Sequence, residues 1–264
     1  MNNVNISIAI STISDRLLKL NLNEFPNVEY IIVHQNYNDI SPEDISIFST
    51  RSDVKYIQLD KKGLSASRNV AISNCSGEYV FIMDDDVGFS FSNMLYIISM
   101  MKMDGTDVGT YYHKYTDGRS TQNTNKVKKL NRVNIAKPSS IDICFNRASC
   151  IKNNLYFDES FGLGTGYPSG EEMVFLSDCL KAGLVITRYP REVCEHPPIT
   201  SGADFYSTRQ KVIAKSAMFK RVYGKVGNLI FLLFVVKKLP LAYKSGYAWF
   251  FILNSLRCVF GKSL

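Results

Sequence analysis

The apolar run Tyr79-Val80-Phe81-Ile82-Met83 ends in three consecutive aspartates, Asp84-Asp85-Asp86. A run of this kind reads as a strand buried on both faces, which places it in a parallel sheet covered by helices. Such a strand delivers fixed negative charge to one edge of the sheet. Three neighbouring carboxylates repel one another unless positive charge sits among them. A divalent cation such as Mg²⁺ or Mn²⁺, which prefers hard oxygen ligands, is the natural candidate and itself suits a diphosphate. The alternative is an acidic turn that caps the next helix.

The segment before this strand adds a second feature. Gly63-Leu64-Ser65-Ala66-Ser67-Arg68-Asn69-Val70-Ala71-Ile72 leads through Ser76-Gly77-Glu78 into the acidic strand. Ser65 is expected to cap a helix with apolar positions at Ala66, Val70 and Ala71, and Arg68 falls in its first turns. A helix N-terminus and a guanidinium together favour an anion. The pattern G-L-S-x-x-R-N followed by G-E-Y-V-F-x-x-D-D-D resembles the family-2 glycosyltransferases of GT-A fold. The resemblance spans roughly residues 5–196.

Length and composition agree with this frame. A chain of 264 residues with 45% hydrophobic and 21% charged residues is globular and long enough for one large α/β domain plus an extension. The six cysteines form no C-x-x-C pair, so neither a zinc site nor a disulfide scaffold is expected, and a reducing cytoplasm fits. Met1-Asn2-Asn3-Val4-Asn5 has no basic region and no apolar core, so no secretory signal is expected. The net charge of +7 is unevenly placed. Residues 205–264 hold eleven Lys or Arg and no Asp or Glu, and the preceding residues sum to −4. That asymmetry calls for an acidic partner, a membrane surface or a nucleic acid.

Along the chain, strand signals at Asn5–Ile10, Val28–Val33, Val54–Leu59, Tyr79–Met83, Val108–Tyr112, Ile141–Phe145 and Val185–Tyr189 alternate with helix signals. The helix signals include Ser14-Asp15, Ser41-Pro42-Glu43-Asp44, Met94–Met103, Asn146–Asn153 and Gly170-Glu171-Glu172. The expected fold is α/β, a Rossmann-like, mainly parallel sheet flanked by helices, with ligands at the carboxyl edge and a C-terminal helical extension. Residues 113–140 are polar and basic and read as a mobile surface loop. The expected division is a catalytic domain over 1–204, with a nucleotide-binding half at 1–112 and an acceptor half at 113–204. Residues 205–264 form a basic amphipathic tail. Its apolar stretches, Leu229–Val236 and the interrupted Tyr247–Phe260, fall short of the ~20 residues a spanning helix needs. With Trp249, Phe250 and Phe251 beside basic residues, the tail suits a membrane interface; packing on the catalytic domain is the alternative.

The resemblance implies roles for particular residues. It places the D-x-D motif on Asp84, Asp85 and Asp86, with Asp86 on Mn²⁺ or Mg²⁺ and Asp84 or Asp85 reaching the ribose or the metal's water shell. The acidic pair Glu171-Glu172 follows F-D-E-x-F and a Gly-rich link, as in the family; Glu172 is the first candidate for the base and Glu171 the second. In most members the second acid is Asp, so Glu172 reaches one methylene further. Ser11-Thr12 matches the nucleotide-contacting end of the first strand, without the family's proline and aromatic. His34-Gln35-Asn36 replaces the usual paired aspartates, and Gln35 can offer a donor and an acceptor to a pyrimidine edge. Arg68 is the expected anion contact. His196, in Glu195-His196-Pro197-Pro198, is a candidate for the metal or the diphosphate, with a structural role as the alternative. Phe157-Asp158-Glu159 reads as a packing and turn element.

The resemblance implies a metal-dependent inverting glycosyltransferase. The expected donor is a UDP-hexose, glucose or galactose. The expected acceptor is a lipid-linked (undecaprenyl-diphosphate) saccharide of bacterial O-antigen or capsule synthesis. Localisation follows as cytoplasmic, peripheral on the inner membrane, with no nucleic-acid partner. Two rivals remain. A nucleotidyltransferase also uses strand-end aspartates, but Ile10–Asp15 has no glycine for a phosphate loop. A non-catalytic membrane- or nucleic-acid-binding module would use the +11 tail.

Overall fold

The structure, a computed structural model, describes residues 5–198 and 204–261. Met1–Val4 and the basic Lys262 lie outside the described residues. Contacts divide the chain into two compact units. One comprises residues 1–62, 66–156 and 175–198; the other comprises 63–65, 157–174 and 199–264.

The first unit holds a nine-stranded mixed sheet. Its strands are β1 (Ile6–Ile13), β2 (Val28–Gln35), β3 (Val54–Leu59), β4 (Tyr79–Asp84), β5 (Gly88–Phe89), β6 (Val108–Tyr115), β7 (Lys128–Lys129), β8 (Ile143–Asn146) and β9 (Ile186–His196). The order is β3-β2-β1-β4-β8-β6-β9-β5, with β7 on β9. β3, β2, β1 and β4 run parallel, as the continuous apolar runs require. β8 lies antiparallel between β4 and β6, so the far half of the sheet is mixed. Helices α1 (Pro42–Ser49), α2 (Leu64–Asn74), α3 (Phe91–Asp104), α4 (Arg147–Lys152) and α5 (Glu171–Lys181) connect the strands. Ser41 and Ser90 cap α1 and α3, accepting from Asp44 N and Asn93 N. Ile8, Phe81, Met83, Ile97 and Tyr111 are among the buried core residues. The strand order turns back at β1 and β4, where a parallel sheet opens its ligand crevice at the carboxyl ends.

Several local expectations shift. Ser14–Lys19 is a 3-10 helix with Ser14 at φ 50°, not an α-helix. Ser65 lies inside α2, fully buried, and is not its cap. The strands β6 and β9 run past their expected ends, so His196 is the last residue of β9 and does not follow it. Residues 113–140 are not a free loop. Lys114 bridges Ser120 antiparallel, Thr121 N donates to His113 O at 3.0 Å, and β7 pairs with β9. Polar side chains do the pinning: Thr121 Oγ1 accepts from His113 N, Ser120 Oγ from Gln122 N and Thr124 Oγ1 from Lys126 N. Short polar side chains thus supply the hydrogen bonds that a strand partner would otherwise give.

The second unit carries the helices α6 (Arg209–Tyr223), α7 (Gly227–Lys244) and α8 (Ala248–Phe260), together with the strap 157–174. Phe205 anchors them, with ring centroids 5.2 Å from Phe234 and 5.6 Å from Phe251. A Cβ on Gly227 would come within 2.5 Å of Phe219 O, so only glycine permits the close turn from α6 to α7. The outer faces are apolar: Leu229, Leu233 and Val236 on α7 and Trp249 and Phe260 on α8 are all more than 60% exposed. The expectation that no stretch is long enough to span a bilayer is corrected. Arg209–Lys244 includes an 18-residue window of mean hydropathy 1.6, only 22% buried, long and apolar enough by length and composition to cross a membrane. Lys237 and Lys238 end the apolar run in sequence, but α7 continues through them and through Pro240.

Gly77 should be irreplaceable, because a Cβ there would lie 2.6 Å from Ser7 N and 2.7 Å from Ser7 Oγ. Gly77→Ala is expected to cost about 1–3 kcal/mol in urea unfolding, as overpacking does. Gly88→Ala, whose Cβ meets nothing within 4 Å, should stay within about 0.5 kcal/mol of the parent. Equal midpoints for both variants would show that the β1–β4 junction is looser than described.

Candidate active site

The three aspartates diverge from one turn: Asp84 pairs with Arg68, while Asp85 and Asp86 share Arg16. Asp84 ends β4 beside Ser11 of β1. It accepts from Arg68 Nη2 at 2.9 Å, and the same nitrogen donates to Ser140 Oγ at 2.7 Å. Arg68 is 1% exposed, so its charge depends on this carboxylate. Asp85 turns inward and is 4% exposed. It accepts from Thr12 Oγ1 at 2.8 Å and from Arg16 Nε at 2.8 Å, with a further Arg16 Nη2 contact. Asp86 Oδ2 accepts from Arg16 Nη2 at 2.9 Å. Its other oxygen, Oδ1, is buried without a hydrogen-bond partner and lies 3.4 Å from His196 Nε2. The hydrogen bonds from Arg16 to Asp85 raise the guanidinium pKa above its ordinary value against the opposing effect of burial.

Protein cations therefore supply much of the countercharge that the sequence assigned to a metal. Arg16 went unread in the sequence. Its signal is a basic residue four positions past Thr12, in the turn that leaves β1. Arg68, expected to face an anion, is instead buried beneath Asp84 and Ser140. Ser11 is 5% exposed and accepts from Ser67 Oγ at 2.9 Å, tying β1 to α2. Gln35 is 6% exposed at the end of β2, opposite Ile13 of β1. Behind it His34 is held through Nδ1 by Tyr56 OH at 2.7 Å and through Nε2 by Ser14 O at 2.9 Å. Burial pushes its pKa down.

A cation fits at Asp86. Its free Oδ1 is a hard oxygen ligand, and His196 is the nearest nitrogen. Among the described residues no three His, Cys, Asp or Glu side chains converge into a complete cage. That suits an ion held by one or two carboxylates, with substrate phosphates completing its shell. Asp84 is already engaged by Arg68, which leaves Asp86 the better first ligand. A buried pair supports this strand end: His113 Nδ1 is 2.8 Å from Asp142 Oδ1, and the His113 ring lies 6.3 Å from that of His196.

In the second unit, Glu171 and Glu172 open α5, after Gly170 at φ 104°. Glu171 is 5% exposed, and a Cβ on Gly162 would lie 3.5 Å from its carboxyl carbon. Glu172 is more open. Ser65 Oγ donates to Phe161 O at 2.6 Å, fixing the strap. Phe157 and Phe161 are buried, and Asp158 accepts from Ser160 N and Arg221 Nε, as a packing and turn element would. Lys215 of α6 is charged less readily than an ordinary lysine, because burial outweighs the favourable charges of Glu172 and Glu171.

The family model for glycosyl transferase family 2 matches residues 9–157, which include β1, β4 and the aspartates. The chain belongs to glycosyltransferase family 2. "Glycosyltransferase GlyA" of Streptococcus pneumoniae serotype 4 is 32% identical over 91 residues, 33% of this chain and 13% of that protein. The chain therefore spans only a small part of that relative's length. The crystal structure of S. aureus TarS 1–349 in complex with UDP has a TM-score of 0.62 at 17% identity, covering 92% of this chain and 74% of that one. The complex with UDP-GlcNAc has a TM-score of 0.65 at 14% identity, covering 97% and 81%. At these identities the likeness establishes the GT-A fold.

The two arginines should separate in stability measurements. Arg68→Met removes a buried guanidinium from Asp84, which is 28% exposed and can turn to water, and is expected to cost about 1–2 kcal/mol in denaturant unfolding. Arg16→Ala leaves Asp85, 4% exposed, with Thr12 Oγ1 and is expected to cost about 2–4 kcal/mol. A loss at Arg16 no larger than that at Arg68 would show that Thr12 alone suffices to hold Asp85.

Proposed function

We propose that this chain transfers a hexose from a nucleoside-diphosphate sugar to a saccharide acceptor, with inversion and with help from Mn²⁺ or Mg²⁺. The observation that carries the reading is Asp86, whose buried Oδ1 lacks a hydrogen-bond partner at the carboxyl edge of a family-2 fold. The TarS complexes with UDP and UDP-GlcNAc support a uridine nucleotide. UDP-glucose and UDP-galactose are the first candidates, with UDP-GlcNAc beside them.

The roles divide by chemistry. Asp86, with His196 and Asp84 near it, would hold the cation, which neutralises charge on the leaving diphosphate. Thr12 fixes Asp85, and Arg68 fixes Asp84, so the carboxylates are preset before substrate arrives. Arg16 can release Asp86 at low cost, because it is partly solvated and keeps Asp85. Ser11, Thr12 and Gln35 line the carboxyl ends of β1 and β2, where the nucleoside would lie. Glu172 would take the proton from the attacking hydroxyl, with Glu171 packed behind it. Residues 1–204 would act as the catalytic domain, nucleotide-binding over 1–112 and acceptor-binding over 113–204.

The exposed apolar faces of α7 and α8, flanked by Lys237, Lys238, Lys244 and Arg257, favour a membrane surface rich in anionic lipid. A lipid-linked acceptor at the cytoplasmic face, such as an undecaprenyl-diphosphate saccharide of O-antigen or capsule synthesis, follows from that placement. An apolar face is less suited to a nucleic acid.

The test is a donor screen with Mn²⁺ across UDP-, GDP- and dTDP-sugars, reading released nucleoside diphosphate and donor binding by calorimetry. Release from a UDP-sugar, lost with EDTA and in Asp86→Ala, is the expected result. No donor binding by any of them would overturn the reading. With a working donor, Glu172→Gln should lower kcat by roughly 10²–10⁴-fold with donor affinity unchanged. A full-rate Glu172→Gln enzyme would remove Glu172 from the role of base.

A further inference from the structure

Apart from Asp86, no residue of the groove beside it has been given an individual role, although most fall in the acceptor half proposed above. The groove has a volume of about 1330 Å³ and lies wholly within the first unit. That exceeds the ~300–1,000 Å³ typical of a small-ligand pocket, so a single sugar ring would leave it largely unfilled. Its lining joins Asp86 to residues of β5 and β9 and to the excursion after β6, called the wall below. The wall presents Ser120, Gln122, Asn123, Thr124 and Asn125, with Asn93 of α3 facing the same space. These are amides and hydroxyls, each able both to donate and to accept. A ligand covered with hydroxyl groups is the chemical match.

Charge narrows the class. The lining holds three acids, Asp86, Glu192 and Glu195, against two bases, Lys114 and Arg191. Lys114 Nζ is paired with Glu195 Oε2 at 2.9 Å, Ser120 Oγ donates to Glu192, and the Arg191 guanidinium lies 4.1 Å above the Tyr96 ring. No surplus of positive charge is left for a polyphosphate or a nucleic acid. The wall is also preset. Tyr115 N donates to Arg119 O at 2.7 Å, Thr116 N to His196 O at 3.1 Å and Gln122 Nε2 to Asn125 Oδ1 at 3.1 Å. A preset wall spares the ordering cost of binding.

We propose that the groove walled by Ser120–Asn125 and β9 binds an uncharged oligosaccharide of at least two sugars, the glycan part of the acceptor, and leads its end to Asp86. This rests on the glycosyltransferase reading. It adds a subsite for sugars beyond the one that reacts.

The experiment uses the full chain, fluorescently labelled, on an array of neutral and anionic bacterial and synthetic glycans of one to eight sugars. UDP affinity is measured by calorimetry on the same samples. Two variants accompany it: Asn123→Ala with Asn125→Ala, both exposed, and Thr124→Trp, which fills the groove. The expected result is binding to neutral glycans of two or more sugars, weakened at least tenfold in both variants, with UDP affinity within twofold of the parent. Binding to no neutral glycan, preference for anionic glycans, or binding that survives both variants would overturn the inference. If UDP binds normally in any of these cases, the glycosyltransferase reading stands without the subsite. If UDP binding is absent in the parent as well, the wider reading fails.

Discussion

Asp85 can lie almost wholly out of water because Thr12 and Arg16 both bond to it. That contact joins the ends of β1 and β4, the two strands between which a parallel sheet opens. Without it, three adjacent carboxylates would repel and the turn after β4 would splay. With it, Asp85 acts as a clamp, Asp84 is turned toward Arg68, and Asp86 is left with one oxygen facing His196. The geometry of the metal-binding candidate is thus a by-product of how the other two charges are paired. Arg16 and Arg68 do this from opposite conditions, one partly solvated and one buried. The Arg16 head, partly in water, exchanges partners cheaply, whereas the Arg68 head is buried and held, with its partner Asp84 28% exposed.

The second unit follows a similar logic with the signs changed. Glu171 is packed near Gly162, and Glu172 stays more open at the start of α5. Lys215 gives these acids a nearby amine whose own charging is opposed by burial. Met218, pressed on Gly170, sets the distance between α6 and the acids, and glycine at φ 104° lets the chain turn sharply into α5.

Much of the frame was legible in sequence because it is dictated by periodicity. The runs Val28–Val33 and Tyr79–Met83 could only be buried strands, and Ser41-Pro42-Glu43-Asp44 could only begin a helix. The antiparallel insertion of β8 between β4 and β6 was not legible, because strand order depends on which edges meet in space, and four residues carry no label for it. The aspartates were legible as a charged cluster, but their partners were not. Arg16 is an ordinary basic residue in a turn, and only the fold brings it over Asp85. Arg68 was read as facing a ligand because helix starts favour anions, yet here a carboxylate of the same chain is the anion. Residues 113–140 lacked periodicity and so read as mobile. Their order comes from side chains closing onto the backbone, a pattern that hydrophobic spacing does not record.

The excursion after β6 is built almost wholly from short polar residues that satisfy one another. Asn123 and Asn125 at its tip are exposed, and each also accepts a hydrogen bond, from Tyr112 OH at 3.5 Å and from Gln122 Nε2 at 3.1 Å. Changes at the tip act on these two bonds and not on those from Thr12, Arg16 and Arg68 that hold the aspartates. A swap of these few residues would thus change the surface the groove presents and leave the charge pairing at the end of β4 intact.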